Sequence, residues 1–218
     1  MTREKIKRLT KDYLDLYYSI GVADKDDLLA IGDIHNERFL NEFIPYLESQ
    51  LTISKGRWQL TGNDTDAIVH AGEMAKKIAA QIIDLISTWM IEHFPEYYKQ
   101  GLELWNINLD MIDKLPQKVR LTEDDINYIT GIEQAETSAW MEHLNRHARQ
   151  IERYVFDGVS RGWTTERFVE ACRCPDGFIV DFLEGNSRIS WHEHLRRFGE
   201  GRGKIVAQTA LERRANGN

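Results

Sequence analysis

The chain is poor in the residues that staple, break or span. It holds two cysteines, Cys172 and Cys174, with one residue between them. Neighbours that close do not reach each other in ordinary disulfide geometry, and no wider cysteine framework is there to hold a small secreted scaffold. Four prolines in 218 residues leave long stretches without a helix breaker. Long apolar runs are missing as well. The longest, around Ile78 to Ile91, is interrupted by Gln81, Asp84, Ser87 and Thr88, which leaves it too short and too polar to cross a bilayer. Met1-Thr2-Arg3-Glu4-Lys5 leads into no apolar signal segment, so synthesis and folding in a cytosol are the expectation. A basic excess is also lacking: the formal net charge is −7, which argues against a dedicated duplex-binding face.

What is present is enough apolar and aromatic material, 42% and 10% of residues, to build a core and to exclude wholesale disorder. Its pattern is helical nearly throughout. Ile6, Leu9, Tyr13, Leu16, Tyr17 and Ile20 recur at three- and four-residue steps, and Gly21 stands where a C-cap glycine would. A second helical stretch runs from Asp33 to Gln50, with Pro45 set against its continuity. Gly56, Gly62 and Asn63 are turn formers around an extended piece from Arg57 to Thr61. From Asp64 a stripe of Ile68, Ala71, Ala75, Ile78, Ile82, Leu85 and Trp89 predicts a long helix that Pro95 ends or kinks near Phe94. That is roughly 30 residues, or about 45 Å.

Asn106 to Arg120, with Pro116 inside it, reads as a connection and a lobe boundary. Thr122 then offers an N-cap, followed by Glu123, Asp124 and Asp125 where the helix dipole favours negative charge. The stripe from Ile126 to Phe156 predicts a second long helix of roughly 35 residues, or about 50 Å. Gly158 and Gly162 close it, Thr164 or Thr165 caps a short helix toward Cys172, and a brief strand is expected at Phe178-Ile179-Val180 within a mixed region running to Asn186. Ser190 with Glu193 forms a capping box. Gly199, Gly201 and Gly203 are expected to interrupt the helix that follows, before a last one from Lys204 through Arg214. The expected fold is therefore all-α: an elongated protein with two long helices, several short ones and at most a brief strand or hairpin. It divides into an N-terminal arm (1–63), a first long-helix lobe (64–120) and a second long-helix lobe with a basic C-terminal segment (121–218). Helices this long usually pack on something beyond their own chain.

Catalytic signatures are absent. No phosphate-binding G-x-x-x-x-G-K-[ST], dinucleotide-binding G-x-G-x-x-G or nucleophile elbow occurs, and helix caps account for the neighbouring carboxylates Asp124 and Asp125. Cys172, Cys174, His192 and His194 together offer a zinc-type ligand set. Their spacing within each pair is too tight for a standard finger, and in a helical first turn the two histidines diverge by about 200°. His143 and His147 share a helix face but lack the glutamate of an H-E-x-x-H motif. The expectation is a non-enzyme without cofactors. Among the tryptophans, Trp58 on a glycine-flanked loop, Trp163 between Gly162 and Thr164, and Trp191 read as partner-binding anchors. Arg196, Arg197, Arg202, Lys204, Arg213 and Arg214 crowd the C-terminus, as Arg3, Lys5, Lys7, Arg8 and Lys11 crowd the N-terminus. They read either as solvated helix ends or as contacts for an acidic partner or nucleic acid.

One further pattern is ordered along the chain. Tyr98-x-x-Gly101, the acidic-capped helix after Thr122, the run from Ile151 through Gly158 and Gly162-Trp-Thr-Thr to Val169, and Lys204-Ile-Val-Ala207-Gln-Thr209-Ala-Leu211-Glu-Arg213-Arg-Ala-Asn216 follow one another. Together they resemble the head-morphogenesis, or minor head (minor capsid), family of tailed phages, over roughly residues 67–216. Gln208 and Ala210 depart from the family's arginine and glutamate beside the signature threonine, and no further region of the family follows Asn218. The resemblance implies a portal-associated protein of the virion interior, present in the host cytoplasm during assembly. It would act in head assembly or in DNA packaging and delivery, as a component of a symmetric or multi-copy assembly. Its partners would be the portal protein or the major capsid protein, with packaged DNA a further one and no membrane. Two other classes stay open from the residues alone: a helical nucleic-acid-binding regulator and a metal-dependent hydrolase.

Overall fold

The computed structural model describes residues 2–22, 25–59, 61, 64–180 and 189–217. The fold is all-α with two small antiparallel sheets. In chain order the elements are α1 (Arg3–Ser19), α2 (Lys25–Arg38), a π-helical turn (Phe39–Phe43), α3 (Ile44–Gln50), β1 (Thr52–Ser54), β2 (Arg57–Gln59) and α4 (Asp64–Met111). They continue with α5 (Glu123–Glu142), α6 (Leu144–Ser160), α7 (Thr165–Cys172), β3 (Arg173–Cys174), β4 (Gly177–Val180), β5 (Ile189–Ser190) and α8 (Trp191–Ala215). The turn expected at Gly62 and Asn63, and the portion of the mixed stretch after Val180, lie outside the described residues.

Two compact units make up the chain, and the division cuts through helices rather than loops. The first comprises Met1–Leu28, Ser87–Glu136 and Arg196–Asn218; the second comprises Leu29–Ile86 and Thr137–Leu195. Each unit is thus assembled from separated stretches. The connection expected to form a lobe boundary, residues 106–120, lies inside the first.

Prolines and glycines behave differently from their local propensities. Pro45 does not break its helix. A π turn precedes it, in which the Ile44 N–H donates to the Phe39 carbonyl, and Pro45 falls in the first turn of α3, where its missing N–H costs least. Pro95 does not end α4, which runs 48 residues, about 72 Å. The carbonyl that Pro95 leaves without a donor is Ile91's, at a position 57% exposed, where water can serve it. The predicted interruption at Gly199, Gly201 and Gly203 is also absent, because α8 passes through all three. A Cβ on Gly199 would strike the Leu28 side chain, and one on Gly203 would lie 3.2 Å from the Tyr97 ring. Those two glycines serve close packing in the first unit and break nothing.

The second long helix has one discontinuity, at His143, between α5 and α6. Its N–H donates to the Trp140 carbonyl at 3.1 Å, three residues back instead of four. Capping follows expectation elsewhere. Thr164 accepts from the Arg167 N–H at 3.3 Å, and Ser190 from the Glu193 N–H at 3.0 Å.

The core of the second unit is aromatic and aliphatic. Phe39, Phe43, Leu47, Trp58, Ile78, Ile151, Val155, Phe168, Cys172 and Phe178 belong to one buried cluster, and Ala67, Ala71 and Ala75 give α4 a small-residue face within it. Strands β1 and β2 pair with Ile53 opposite Trp58. Lys55 and Gly56 both have positive φ, 51° and 74°, the backbone of a two-residue type I′ turn. That turn directs Trp58 inward. The first unit buries Leu9, Ile20, Leu28, Phe94, Tyr97, Tyr98, Leu102, Leu104, Ile129, Val206, Ala207 and Ala210.

Candidate functional site

The densest polar arrangement of the first unit gathers around Asp125, which is 2% exposed. Thr122 caps α5 by accepting from the Asp125 N–H at 3.2 Å, while one Asp125 carboxylate oxygen accepts from the Thr122 N–H at 2.9 Å and from its hydroxyl at 2.8 Å. That reciprocal cap is local, as Thr-x-x-Asp spacing dictates. Two distant groups complete it: the Tyr98 hydroxyl donates to the other carboxylate oxygen at 2.8 Å, and the Arg214 guanidinium approaches at 2.9 Å. Burial works to raise the Asp125 pKa, but the hydrogen bonds from Thr122 and Tyr98 and the charge of Arg214 outweigh it and hold the carboxyl below its ordinary range. Burial first, and then the bond to this carboxylate, push the Tyr98 phenol up to about 12. The Arg213 guanidinium lies 4.3 Å from the centre of the Tyr128 ring, in cation–π contact.

Two hollows flank Arg214. One, about 510 Å³, is lined by Leu102, Trp105 and Asn106 of α4 and by residues 117–123. The other, about 620 Å³, lies over Asp124, Asn127, Tyr128 and Arg213. The wall of the first is pinned in place. The Asn106 amide donates to the Gln117 carbonyl at 2.7 Å and accepts from the Gln117 N–H at 2.7 Å, so one side chain stands in for a paired strand. Neither Asn106 nor Lys118 nor Arg120 stood out in the sequence as a site residue, and Tyr98 did so only within the ordered pattern. Thr122 and Asp125 were legible as a cap, but partners 27 and 89 residues away leave no local trace.

The expected aromatic anchors are placed otherwise than their loop contexts suggest. Trp58 is 1% exposed and Trp191 0% exposed, so neither is a surface anchor. The Trp58 N–H donates to the Trp163 carbonyl at 2.8 Å, its indole N–H reaches the Thr165 hydroxyl at 3.3 Å, and its ring packs 5.0 Å from Phe168. Gly158 makes room for this ring: a Cβ there would come within 2.8 Å of it. Gly162, at φ 62°, supplies the left-handed turn that carries Trp163 back. Trp163 alone of the three stays half-buried, with the Arg161 and Arg167 guanidinium groups 6.0 and 5.7 Å from its ring centre.

Trp191 instead centres a histidine-rich region of the second unit. His35 lies 4.9 Å and His147 6.4 Å from its ring, and Trp140 stacks on it at 6.0 Å. Burial, with the neighbouring His147 and His192, holds His35 well below its ordinary pKa. Burial lowers His147 to about 4. His192 sits between the Asp33 carboxylate at 2.9 Å and the Asn36 amide at 3.2 Å, and His194 packs edge-on to Trp140 at 4.7 Å. Cys172 and Cys174 are buried in the aromatic core. Among the described residues, no three His, Cys, Asp or Glu side chains gather as metal ligands would, so Cys172, Cys174, His192 and His194 do not form one set there.

Most of the basic C-terminal residues meet partners within the first unit. Arg196 pairs with Glu200 at 3.1 Å, Arg202 with Glu136 at 3.0 Å and Arg214 with Asp125, while Lys204 lies 5.9 Å from the centre of the Tyr17 ring. Among the described residues no helix is long and apolar enough to cross a membrane. Comparison of the chain with family profiles, with curated proteins and with solved structures gives no match in any of the three.

Proposed function

We propose that the chain is a structural minor head protein of a tailed phage, held at the portal or inner capsid wall, acting in head assembly or in DNA packaging and delivery by binding rather than by catalysis. The supporting observation is convergence. Three of the separated stretches that carry the resemblance come together in the first unit: Tyr98 and Gly101 from α4, the cap at Thr122 and Asp125, and the α8 segment that holds Ala207. Tyr98 and Arg214 share the Asp125 carboxylate, and Gly101 has no room for a side chain against the Ala207 carbonyl and Ala210.

The departures from the family pattern have structural roles as well. Gln208 is exposed and donates to Glu212 at 2.9 Å, while Ala210 is buried beside Gly101. Packaged DNA, in this reading, would meet the exposed Arg3, Lys7, Arg8 and Lys11 of α1 rather than the internally paired cations of α8. The test is co-expression of the tagged chain with the portal and major capsid proteins of the same genome. Retention of either through a high-salt wash is expected; a chain that elutes free of both overturns the reading.

A further inference from the structure

The hollow beside Arg214 has features that the network behind it does not use. Residues 117–121 belong to no helix or strand, with Val119 and Leu121 half-buried and Lys118 and Arg120 exposed. That alternation is the period of a β-strand with one face on a core. Among the described residues, no backbone hydrogen bond engages residues 118–121 and no anion pairs with Lys118 or Arg120. Other cations of the first unit are matched, among them Lys5 with Asp110 at 2.7 Å, Lys99 with Glu96 at 2.9 Å and Arg202 with Glu136 at 3.0 Å. The Asn106 clamp on Gln117 fixes this segment before any ligand arrives, which lowers the ordering cost of binding. Leu102 and the half-buried Trp105 supply the apolar floor.

We infer that this groove is a docking slot for an extended acidic segment of a partner protein. Such a segment would add as a strand along residues 118–121, set alternate apolar side chains on Leu102 and Trp105, and bring carboxylates to Lys118 and Arg120. Charge complementarity selects this occupant, since Lys118 and Arg120 outnumber Glu123, the carboxylate that lines the groove with them. A basic segment would be repelled by both cations, and a wholly apolar one would leave them without a partner. A plainer reading of Lys118 and Arg120 is that they guard an exposed edge against pairing, and it predicts no binding at all. The inference rests on the assembly reading and names the chemistry of one contact within it.

The probe is a fluorescein-labelled decapeptide of alternating Glu and Val, titrated into the full-length protein and followed by anisotropy. Saturable binding that weakens with salt is expected. The double reversal Lys118→Glu/Arg120→Glu, at exposed positions that do not threaten folding, should weaken it by about tenfold or more. Reversal of the exposed pair Arg149 and Arg153 should leave it unchanged, and bound peptide should slow amide exchange at residues 118–121. Absence of binding, equal sensitivity to the Arg149/Arg153 reversal, or unaltered exchange at 118–121 overturns the inference. A chain that ignores the peptide yet still co-purifies with the portal removes the groove and leaves the assembly reading standing.

Discussion

The two units solve the burial of polar groups in opposite ways. The first keeps an ionised pair at its centre, with Asp125 between Arg214 and Tyr98. The second keeps imidazoles there in neutral form, His35 and His147 against Trp191. A charge in a low-dielectric site survives only when every lone pair is matched, whereas a neutral ring needs mainly to stay neutral. Each solution therefore fails under a different stress. The second unit carries the larger aromatic packing and the acid sensitivity, and the first carries the directional contacts.

The largest effect should come from removing the ring that organises the second unit. Trp58→Ala empties a site between Gly158, Trp163 and Phe168 and should cost about 4 kcal/mol. Denaturant titration should show the second unit losing protection while amides around Asp125 keep theirs; equal loss in both would erase the distinction between the units.

Acid comes next. His147 has a folded pKa of about 4 against an ordinary 6.5, so the unfolded chain binds the proton more readily. The stability this residue contributes is complete above the unfolded value and is lost as pH falls from there toward the folded one, about 3 kcal/mol in all. His35 is shifted in the same direction, by burial first and then by His147 and His192, with a hydrogen bond to Asn36 opposing them. Tyr98 places the first unit's sensitivity at the alkaline end. Its phenol ionises near 12 when folded and near 10 when not, so stability is lost as pH rises across that interval. Residue-resolved hydrogen exchange against pH checks both, and acid loss that begins around Asp125 would contradict the scheme.

Breaking the ionised centre should cost less than emptying the aromatic one. Asp125→Ala strands the Tyr98 hydroxyl, the Arg214 guanidinium and the α5 cap, for about 2–3 kcal/mol by thermal unfolding, with Asp125→Asn milder. The smallest effect is a gain. A Cβ at Gly201 meets nothing within 4 Å inside α8, so Gly201→Ala should stabilise by about 0.5–1 kcal/mol. Gly199→Ala, which strikes Leu28, should destabilise instead.

The legible features of this fold were those that repeat locally. Helical periodicity gave α1, the long α4 and the α5–α6 stretch, and the caps at Thr122, Thr164 and Ser190 stand where their side chains predicted. Breakers misled where tertiary packing decided the matter. Pro95 is tolerated because its orphaned carbonyl is at an exposed position, and Gly199 and Gly203 are small because Leu28 and Tyr97 need the room. The tryptophans misled for a related reason. Glycines beside Trp58 and Trp163 suggested exposed loops, but Gly158 and the Lys55–Gly56 turn fold Trp58 into the core. The candidate site was legible only as a helix cap, since its other members come from three separate helices and one pinned segment.

The proposed role, binding inside a phage head, is open to cross-linking mass spectrometry on purified heads. The chain is expected in the particle, cross-linked to portal or inner capsid protein, with links from Lys118 lost in the Arg120→Glu variant, which keeps that lysine. Heads that assemble, package and infect normally with the chain absent from the particle would contradict it.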